Sequence, residues 1–288
     1  MRPRFPRTSK MSVVRQELKL LHGAVIPRLG LGTWPMDDRQ AERAVAAALE
    51  SGYRLVDTAE SYGNERGVGR GVKASGVPRS EIFLTTKFNR RWHGTDLVAQ
   101  AFERSATAMG VDYIDLMLIH WPNPGHNRYV EAWQGLIGLW EQGLVRAIGT
   151  SNFKPAHIDR LLAETQVAPD VNQIELNPYV ARVSVRAYHE RHGIVTESWA
   201  PVGGGSNAVL NHSVITGLAS RLGRTPAQVV LRWHVQSGLV AIPKSSHPER
   251  IRENLRIFDF ELGEDEMAAI DALDEGEAAA TDSDAYGH

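Results

Sequence analysis

Four ionisable side chains in the sequence could together stabilise negative charge on an oxygen atom. Asp57, Lys87 and His120 each stand at the end of a short strand-like run, and Tyr62 follows Asp57 closely. A tyrosine hydroxyl, whose ordinary pKa is about 10, donates a proton poorly unless a cation stabilises the phenolate. Lys87 can be that cation, Asp57 can keep it charged, and His120 can donate a second hydrogen bond. These residue types predict a reaction that places charge on a carbonyl oxygen.

Other common catalytic patterns are not found in the sequence. The chain has no cysteine, no serine triad is apparent, and the histidines show no H-E-x-x-H spacing. We therefore expect no metal site. A lone buried Asp or Lys is usually half of a structural salt bridge, but three such groups on neighbouring strands favour an active site.

The four side chains meet only if their strands end at one rim of the fold. Short apolar runs alternate with helical patterns from Leu29 to about Leu273, which predicts a parallel sheet closed on itself, the (β/α)8 or TIM barrel. The predicted strands are Leu29–Thr33, Arg54–Thr58, Ile82–Thr86, Tyr113–Ile119, Arg146–Thr150, Val171–Leu176, Ile194–Trp199 and Leu239–Ile242. The predicted helices are Asp37–Glu50, Glu65–Ala74, Thr95–Met109, Tyr129–Gln142, Pro155–Glu164, Ser184–Arg191 and Pro226–Gln236.

A hairpin is predicted ahead of the barrel. Gln16–Leu21 and Ala24–Pro27 flank the dipeptide His22-Gly23, which is typical of a two-residue turn. We expect a single barrel domain over residues 13–288, including a C-terminal helix and tail. Residues 1–12 are predicted to be a disordered extension.

Composition limits the partners of the chain. A formal net charge of −2 with interspersed signs predicts neither a nucleic-acid surface nor an anionic-membrane surface. No run approaches the ~18 apolar residues of a membrane span, and the first ten residues lack the apolar segment of a secretory signal. The lack of cysteine fits a reducing compartment. A cytoplasmic protein is expected.

Eight motifs, in order, resemble the aldo-keto reductase family, and within it the bacterial 2,5-diketo-D-gluconate reductase-like members. The resemblance runs from about Val13 to about Leu273. The motifs are GLGTW (30–34), GYRLVDTAESYGNE (52–65), TTKF (85–88), LIHWP (118–122), IGTSNF (148–153), VNQIELNPY (171–179), ESWAP (197–201) and IPKSSHPERIREN (242–254).

The resemblance implies hydride transfer from NADPH to an aldehyde or ketone. It implies that Tyr62 is the proton donor, that Lys87 and Asp57 lower the pKa of Tyr62, and that His120 orients the carbonyl group. It also implies a small-molecule carbonyl substrate and a monomeric enzyme. The chemistry agrees with the independent interpretation of the four residue types.

The resemblance further implies a site for the nicotinamide at the ends of later strands. Ser151, Asn152 and Gln173 would hold its carboxamide, because side-chain amides offer both a donor and an acceptor, and Trp199 would stack on its ring. From the residues alone, Asn152 and Gln173 could instead satisfy strand-end carbonyls.

The segment after the last strand carries the implied cofactor preference. Lys244, Ser245 and Arg250 match the family's contacts to the adenosine 2′-phosphate, and Glu253 with Asn254 its contacts to adenine. Arginine suits phosphate because of its forked donors. NADPH is thus expected over NADH, and the alternative is a basic helix start on the surface.

The stretch 202–212 is the long irregular segment expected inside the barrel. It begins with Val202 and Gly203, and its glycines should expose backbone N–H groups where phosphate often binds in this architecture. Val202 and Gly203 are therefore predicted cofactor contacts. A flexible connector is the alternative that the sequence leaves open.

Aromatic residues in the loops after the strands are candidates for the substrate wall. Trp34 and Trp121 lie inside motifs and are predicted to contact substrate, whereas Phe88 and Trp92 have no firm assignment because aromatics are also common in cores. Two other functions stay open: a Schiff-base aldolase-like barrel that uses Lys87, and a non-catalytic binding protein of the same family.

Overall fold

The computed structural model describes residues 16–287, which begin with an antiparallel hairpin of β1 (Glu17–Lys19) and β2 (Val25–Pro27). Gly23 has the positive φ, +100°, that the turn needs. The loop is one residue longer than predicted, because the N–H of Leu20 donates to the carbonyl of Ala24 at 2.8 Å. Three-residue loops commonly end in a glycine of this kind. The predicted extension at residues 1–12 lies outside the described residues.

Eight parallel strands follow, each paired with the next in chain order. They are β3 (Leu31–Gly32), β4 (Leu55–Asp57), β5 (Phe83–Phe88), β6 (Ile114–Ile119), β7 (Val145–Ser151), β8 (Val171–Glu175), β9 (Val195–Trp199) and β10 (Val240–Ala241). Bridges from Leu29 to Ala241 and from Gly32 to Lys244 join the first strand to the last. The predicted closed barrel is thereby confirmed.

Helices surround the sheet. They are α1 (Asp38–Ser51), α2 (Glu65–Ala74), α3 (Thr95–Met109), α4 (Tyr129–Glu141), α5 (Pro155–Thr165), α6 (Val183–Arg191), α7 (Ala208–Asn211), α8 (Ser213–Leu222), α9 (Pro226–Gln236), α10 (Pro248–Asn254) and α11 (Glu264–Asp271). The seven predicted helices are present to within a residue or so at each end. The stretch 202–212 is less irregular than predicted, since it contains a 3₁₀ turn at Gly204–Ser206 and the short helix α7. Such short elements carry too few residues for a periodic pattern.

The barrel interior is filled by apolar side chains, while a second layer packs between the strands and the helices. All six residues of β6 are buried, as expected for a strand covered on both faces. Leu55, Leu116 and Leu118 point into one core cluster with residues of the last strands. Within residues 16–287, none of the helices combines the length and apolarity that a membrane span requires.

Two glycines allow α2 to pack unusually close to α1. A Cβ atom at Gly67 would lie 2.1 Å from the carbonyl oxygen of Asp38, and one at Gly71 would lie 2.8 Å from Cβ of Val45. The N–H of Gly67 also donates to Oδ1 of Asp38 at 2.8 Å. Because α2 begins three residues after Tyr62, this contact fixes the exit of the loop that carries the tyrosine.

We expect Gly67→Ala to destabilise the protein by about 1–3 kcal/mol, because the added methyl group must displace backbone. Gly217→Ala is the matched control, since Gly217 lies inside α8 with no atom within 4 Å of its Cβ position. The control should stabilise the protein by up to about 1 kcal/mol through helix propensity. Urea unfolding of both variants measures the difference, and equal effects would contradict the packing argument.

Candidate active site

The barrel brings the four predicted catalytic side chains together at one rim. Asp57 ends β4, Lys87 lies near the end of β5, and His120 follows β6. Nζ of Lys87 donates to Oδ1 of Asp57 at 2.6 Å, to the carbonyl of Thr58 at 2.9 Å and to the hydroxyl of Tyr62 at 3.4 Å. The rings of Tyr62 and His120 meet edge to face, with centroids 5.8 Å apart.

A 3₁₀ turn at Glu60–Tyr62 presents the tyrosine and is held from two sides. On one side, the carboxylate of Glu60 accepts from Nε1 of Trp92 at 2.8 Å and pairs with Arg91. On the other, the buried Asn64 donates to two carbonyls of the loop after β3, at 3.2 and 2.9 Å. Gly63 has φ +67°, which lets the chain reverse directly after the tyrosine. The hydroxyl is therefore positioned by the scaffold.

The charge environment of Tyr62 differs from the expectation that Lys87 and Asp57 lower its pKa. Burial raises the pKa of Tyr62 above its ordinary value; Lys87 opposes this shift, but the charge of Asp57 adds to it. Burial by itself would lower the pKa of Lys87, yet the charge of Asp57 and the hydrogen bond to it act in the opposite direction and the pKa of Lys87 is raised. The phenol is thus neutral beside a charged ammonium group.

Asn89 and Ser61 hold the imidazole of His120. Oδ1 of Asn89 lies 3.1 Å and Oγ of Ser61 3.5 Å from Nδ1 of the ring. Neither residue was singled out from the sequence. Asn89 follows β5 directly, so the strand that supplies Lys87 also supplies a partner for the histidine.

The residues predicted for the nicotinamide form a chain of hydrogen bonds along the same rim. The hydroxyl of Ser151 donates to the backbone carbonyl of Gln173 at 3.0 Å. Nδ2 of Asn152 donates to Ser151 and to the carbonyl of His120, both at 3.1 Å. Nε1 of Trp199 donates to Oδ1 of Asn152 at 2.8 Å. Asn152 therefore does satisfy a strand-end carbonyl, as the alternative interpretation allowed.

The side chain of Gln173 points into the barrel instead. Its Nε2 donates to Oδ2 of Asp57 at 2.9 Å and to Oε2 of Glu197 at 2.8 Å. Both N–H groups are used, and no donor within residues 16–287 reaches its carbonyl oxygen, which can therefore accept from a ligand's amide. Sequence reasoning missed Glu197, although an acid inside the buried strand β9 was a usable signal.

Burial raises the pKa of Glu197 to about 8, and the charge of Asp57 adds to this shift. Burial likewise raises the pKa of Asp57, against the opposing charge of Lys87. Two carboxyl groups and one ammonium group thus share an enclosed space. Among the described residues, Lys87 forms an ion pair with Asp57 and none with Glu197.

The segment predicted to recognise the 2′-phosphate lies after β10. Lys244 and Arg250 are exposed, and neither has an ion-pair partner within 4.0 Å among residues 16–287. Ser245 is buried, and its hydroxyl accepts from the N–H of His247 at 3.2 Å. Glu253 is half-buried and Asn254 is buried at the end of α10. Unpaired exposed cations of this kind fit a phosphate group.

The backbone N–H of Gly203, at the start of the stretch 202–212, is not free as predicted. The N–H of Gly203 donates to the carbonyl of Ala200 at 2.9 Å. A Cβ atom at Gly203 would lie 2.5 Å from Cγ2 of Val209, so its lack of a side chain serves the packing of α7. Val202 is half-buried against both helix-side cores.

The aromatic residues proposed for a substrate wall separate into different environments. Trp34 is 63% exposed, and Trp121 is 5% exposed with its ring 4.9 Å from that of Tyr286 in the C-terminal tail. Phe88 is fully buried in the core, and Trp92 donates to Glu60. Phe88 therefore presents no exposed surface to a substrate. Trp34 and Trp121 stay candidates.

A family model described as the aldo/keto reductase family matches residues 28–275. The chain belongs to this family. The resemblance predicted from the motifs is thus confirmed, and the chain is an NADP-dependent oxidoreductase that acts on carbonyl groups.

Relatives of this aldo-keto reductase match it over nearly its whole length. It is 47% identical over 271 residues to the methylglyoxal reductase DkgA of Yersinia pestis, covering 94% of this chain and 97% of the relative. A mutant of Gox0644 solved in complex with NADPH is 42% identical, with a TM-score of 0.89 over 94% of this chain and 98% of that one. A Bombyx mori aldo-keto reductase solved with NADP is 35% identical, with a TM-score of 0.85 over 92% and 94%.

We expect Lys87→Met and Asp57→Asn each to destabilise the aldo-keto reductase by about 3–5 kcal/mol, because each leaves a buried partner uncompensated. The double variant should cost less than the sum of the single variants by about 1–3 kcal/mol. Glu164→Ala, which breaks an exposed pair with Arg160, is the control and should change the free energy of unfolding little. Urea unfolding measures all four, and strictly additive costs would contradict a coupled buried pair.

Proposed function

We propose that this enzyme reduces small aldehydes and ketones with NADPH, and that Tyr62 gives the proton to the carbonyl oxygen. The observation that carries the proposal is the hydroxyl of Tyr62 lying 3.4 Å from the ammonium group of Lys87, which is itself paired with Asp57 at 2.6 Å. The direction of proton transfer follows from this arrangement. A buried neutral phenol holds its proton until a stronger base appears, and the ammonium group then stabilises the phenolate.

The electrostatic attraction between Lys87 and the oxygen of Tyr62 becomes stronger as the proton is transferred. Before transfer, it faces a neutral hydroxyl, whereas after transfer it faces a phenolate at the same distance. An interaction that strengthens in this way lowers the barrier rather than merely tightening binding. His120, fixed by Asn89, is proposed to orient the carbonyl oxygen toward Tyr62. NADPH, when bound, supplies the hydride.

The remaining residues of the rim are proposed to hold the cofactor. The half-exposed indole of Trp199 offers a flat surface for a ring, and the carbonyl oxygen of Gln173 can accept from an amide. The exposed cations Lys244 and Arg250 suit a phosphate. The full proposed set is Ser151, Asn152, Gln173, Trp199, Val202, Gly203, Lys244, Ser245, Arg250, Glu253 and Asn254.

Methylglyoxal is the proposed first substrate to assay. Relatives that match this chain over most of its length are named methylglyoxal reductase, and Trp34 and Trp121 are proposed to border a small carbonyl compound. The ring of Tyr286 against Trp121 supports a narrow entrance. We also propose that residues 13–288 form one domain and that the enzyme acts as a cytoplasmic monomer. Light scattering coupled to size exclusion tests the oligomeric state.

We expect Tyr62→Phe to reduce turnover of methylglyoxal by about 10²–10⁴-fold while NADPH still binds, because only the proton donor is lost. Tyr113→Phe is the matched control, since Tyr113 stands directly before β6 at the other end of the barrel and its hydroxyl donates to the carbonyl of Arg79. Loss of NADPH absorbance and quenching of tryptophan fluorescence measure turnover and binding. Retained turnover in Tyr62→Phe would exclude the proposed donor.

The two alternative functions give different results in the same assays. Borohydride trapping of a carbonyl substrate on Lys87 would indicate a Schiff-base enzyme. Binding of NADPH by the wild type without turnover of any aldehyde would indicate a binding protein. Against the first, the raised pKa of Lys87, held up by Asp57 against burial, keeps its amine protonated and poorly nucleophilic.

We expect Arg250→Ala to raise KM for NADPH by about 10–100-fold, the loss of one charge-assisted hydrogen bond, with little change in KM for NADH. Arg252→Ala is the control, because Arg252 is an exposed arginine of the same helix. Steady-state kinetics with both cofactors measure the ratio. An equal loss for NADPH and NADH would show that Arg250 does not recognise the 2′-phosphate.

A further inference from the structure

We propose that Glu197 is a positioning residue of the reduction site, and that its protonated carboxyl group holds the amide of Gln173. Loss of that proton adds one negative charge next to the ion pair of Lys87 with Asp57. The part that concerns the cofactor rests on the function proposed above.

Glu197 lies inside the sheet, next to the strand that carries Gln173. It lies in the middle of β9, paired in register with Gln173 of β8 and Val240 of β10. Its side chain is fully buried. Oε2 accepts from Nε2 of Gln173 at 2.8 Å, and the same nitrogen donates to Oδ2 of Asp57 at 2.9 Å. One amide group therefore links the acid to the catalytic ion pair.

The charged groups that act on Glu197 are one acid and one cation, and these two are already paired with each other. The ionisable groups that act on Glu197 are Asp57 from β4 and Lys87 from β5, and Glu197 in turn acts on Tyr62 from the following turn. Lys87 is the one cation of this group, and its hydrogen bonds go to Asp57, Thr58 and Tyr62. An ionised Glu197 would be a buried charge without a cation of its own, which is far more costly than a protonated one.

The remaining oxygen of Glu197 supports the protonated form. Oε1 is buried and has no hydrogen-bond partner within residues 16–287. A charged oxygen left without a donor in this position costs much more free energy than a neutral carboxyl group left without a partner. The pKa of about 8, raised by burial first and by Asp57 second, agrees with the same conclusion.

Ionisation of Glu197 would change what the site favours. The added negative charge opposes a phenolate on Tyr62, because Glu197 already raises the pKa of that phenol. It also favours a positively charged ring held by Gln173 over a neutral one. As pH rises through about 8, reduction should slow and the affinity for NADP⁺ should increase relative to that for NADPH.

Stability provides a measurement that needs neither cofactor nor activity. The folded-state pKa of Glu197 lies above its ordinary value of 4.5, so the folded protein binds one proton more than the unfolded chain between 4.5 and about 8. Stability contributed in this way is present at low pH and is lost as pH rises through that window. One proton corresponds to about a tenfold change in the unfolding constant per pH unit.

The experiment compares wild type, Glu197→Gln and Glu50→Gln, in which the last removes an exposed acid of α1. Urea unfolding without cofactor measures the free energy of unfolding at each pH. This free energy should depend more steeply on pH in wild type and Glu50→Gln than in Glu197→Gln. Tryptophan fluorescence measures the Kd for NADP⁺ and for NADPH. The ratio of the first to the second should fall about tenfold as pH rises through about 8 in wild type and Glu50→Gln but not in Glu197→Gln. A tenfold change is typical of a modest coupling free energy between two sites.

Superimposable pH series for wild type and Glu197→Gln would overturn the proposal. If Glu197→Gln does not fold, infrared spectroscopy of the wild type decides instead: a protonated-carboxyl band that disappears as pH rises through about 8 supports the proposal, and its absence at neutral pH overturns it. If the stability difference appears but neither nucleotide binds, Glu197 is the buried acid inferred here and the proposed cofactor function fails.

Discussion

The ion pair between Lys87 and Asp57 is the interaction on which the rest of the rim depends. A buried pair is tolerated only when both partners are further satisfied. Lys87 is satisfied by the carbonyl of Thr58, and Asp57 by the amide of Gln173. The strands β4, β5 and β8 and the turn that carries Tyr62 therefore all contact the same two charges. Moving any one of these elements would leave a buried charge without its partner.

Precise placement of Tyr62 comes from hydrogen bonds that hold its turn and from the scaffold rather than from the ion pair of Lys87 with Asp57. Asn64 anchors the turn to the loop after β3, Glu60 anchors it to Trp92, and the glycine contact of α2 fixes the exit. Each anchor lies on a different barrel element. Sites built on rigid elements in this way keep their geometry better than sites on loops alone.

Burial is the largest effect on the pKa of each acidic group in this site, and Lys87 is the charge that opposes it. A resemblance to known enzymes led to the expectation of a lowered pKa for Tyr62, and Lys87 does act in that direction. Burial nevertheless raises the pKa of Tyr62, which suits a group that must hold a proton before giving it away. The same effect acts on Glu197, and its neighbouring cation Lys87 is already paired with Asp57.

The sequence by itself determined the alternation of strands and helices, the hairpin, the family, and the rim on which Asp57, Lys87 and His120 lie. These features are local, because parallel strands that alternate with helices must all end at one edge. The tertiary structure decided the burial of Phe88, the internal hydrogen bond of Gly203, the direction of the pKa shift of Tyr62 and the importance of Glu197. Such properties depend on groups far apart in the chain: Gln173 reaches Asp57 across 116 residues, and no local pattern records that contact.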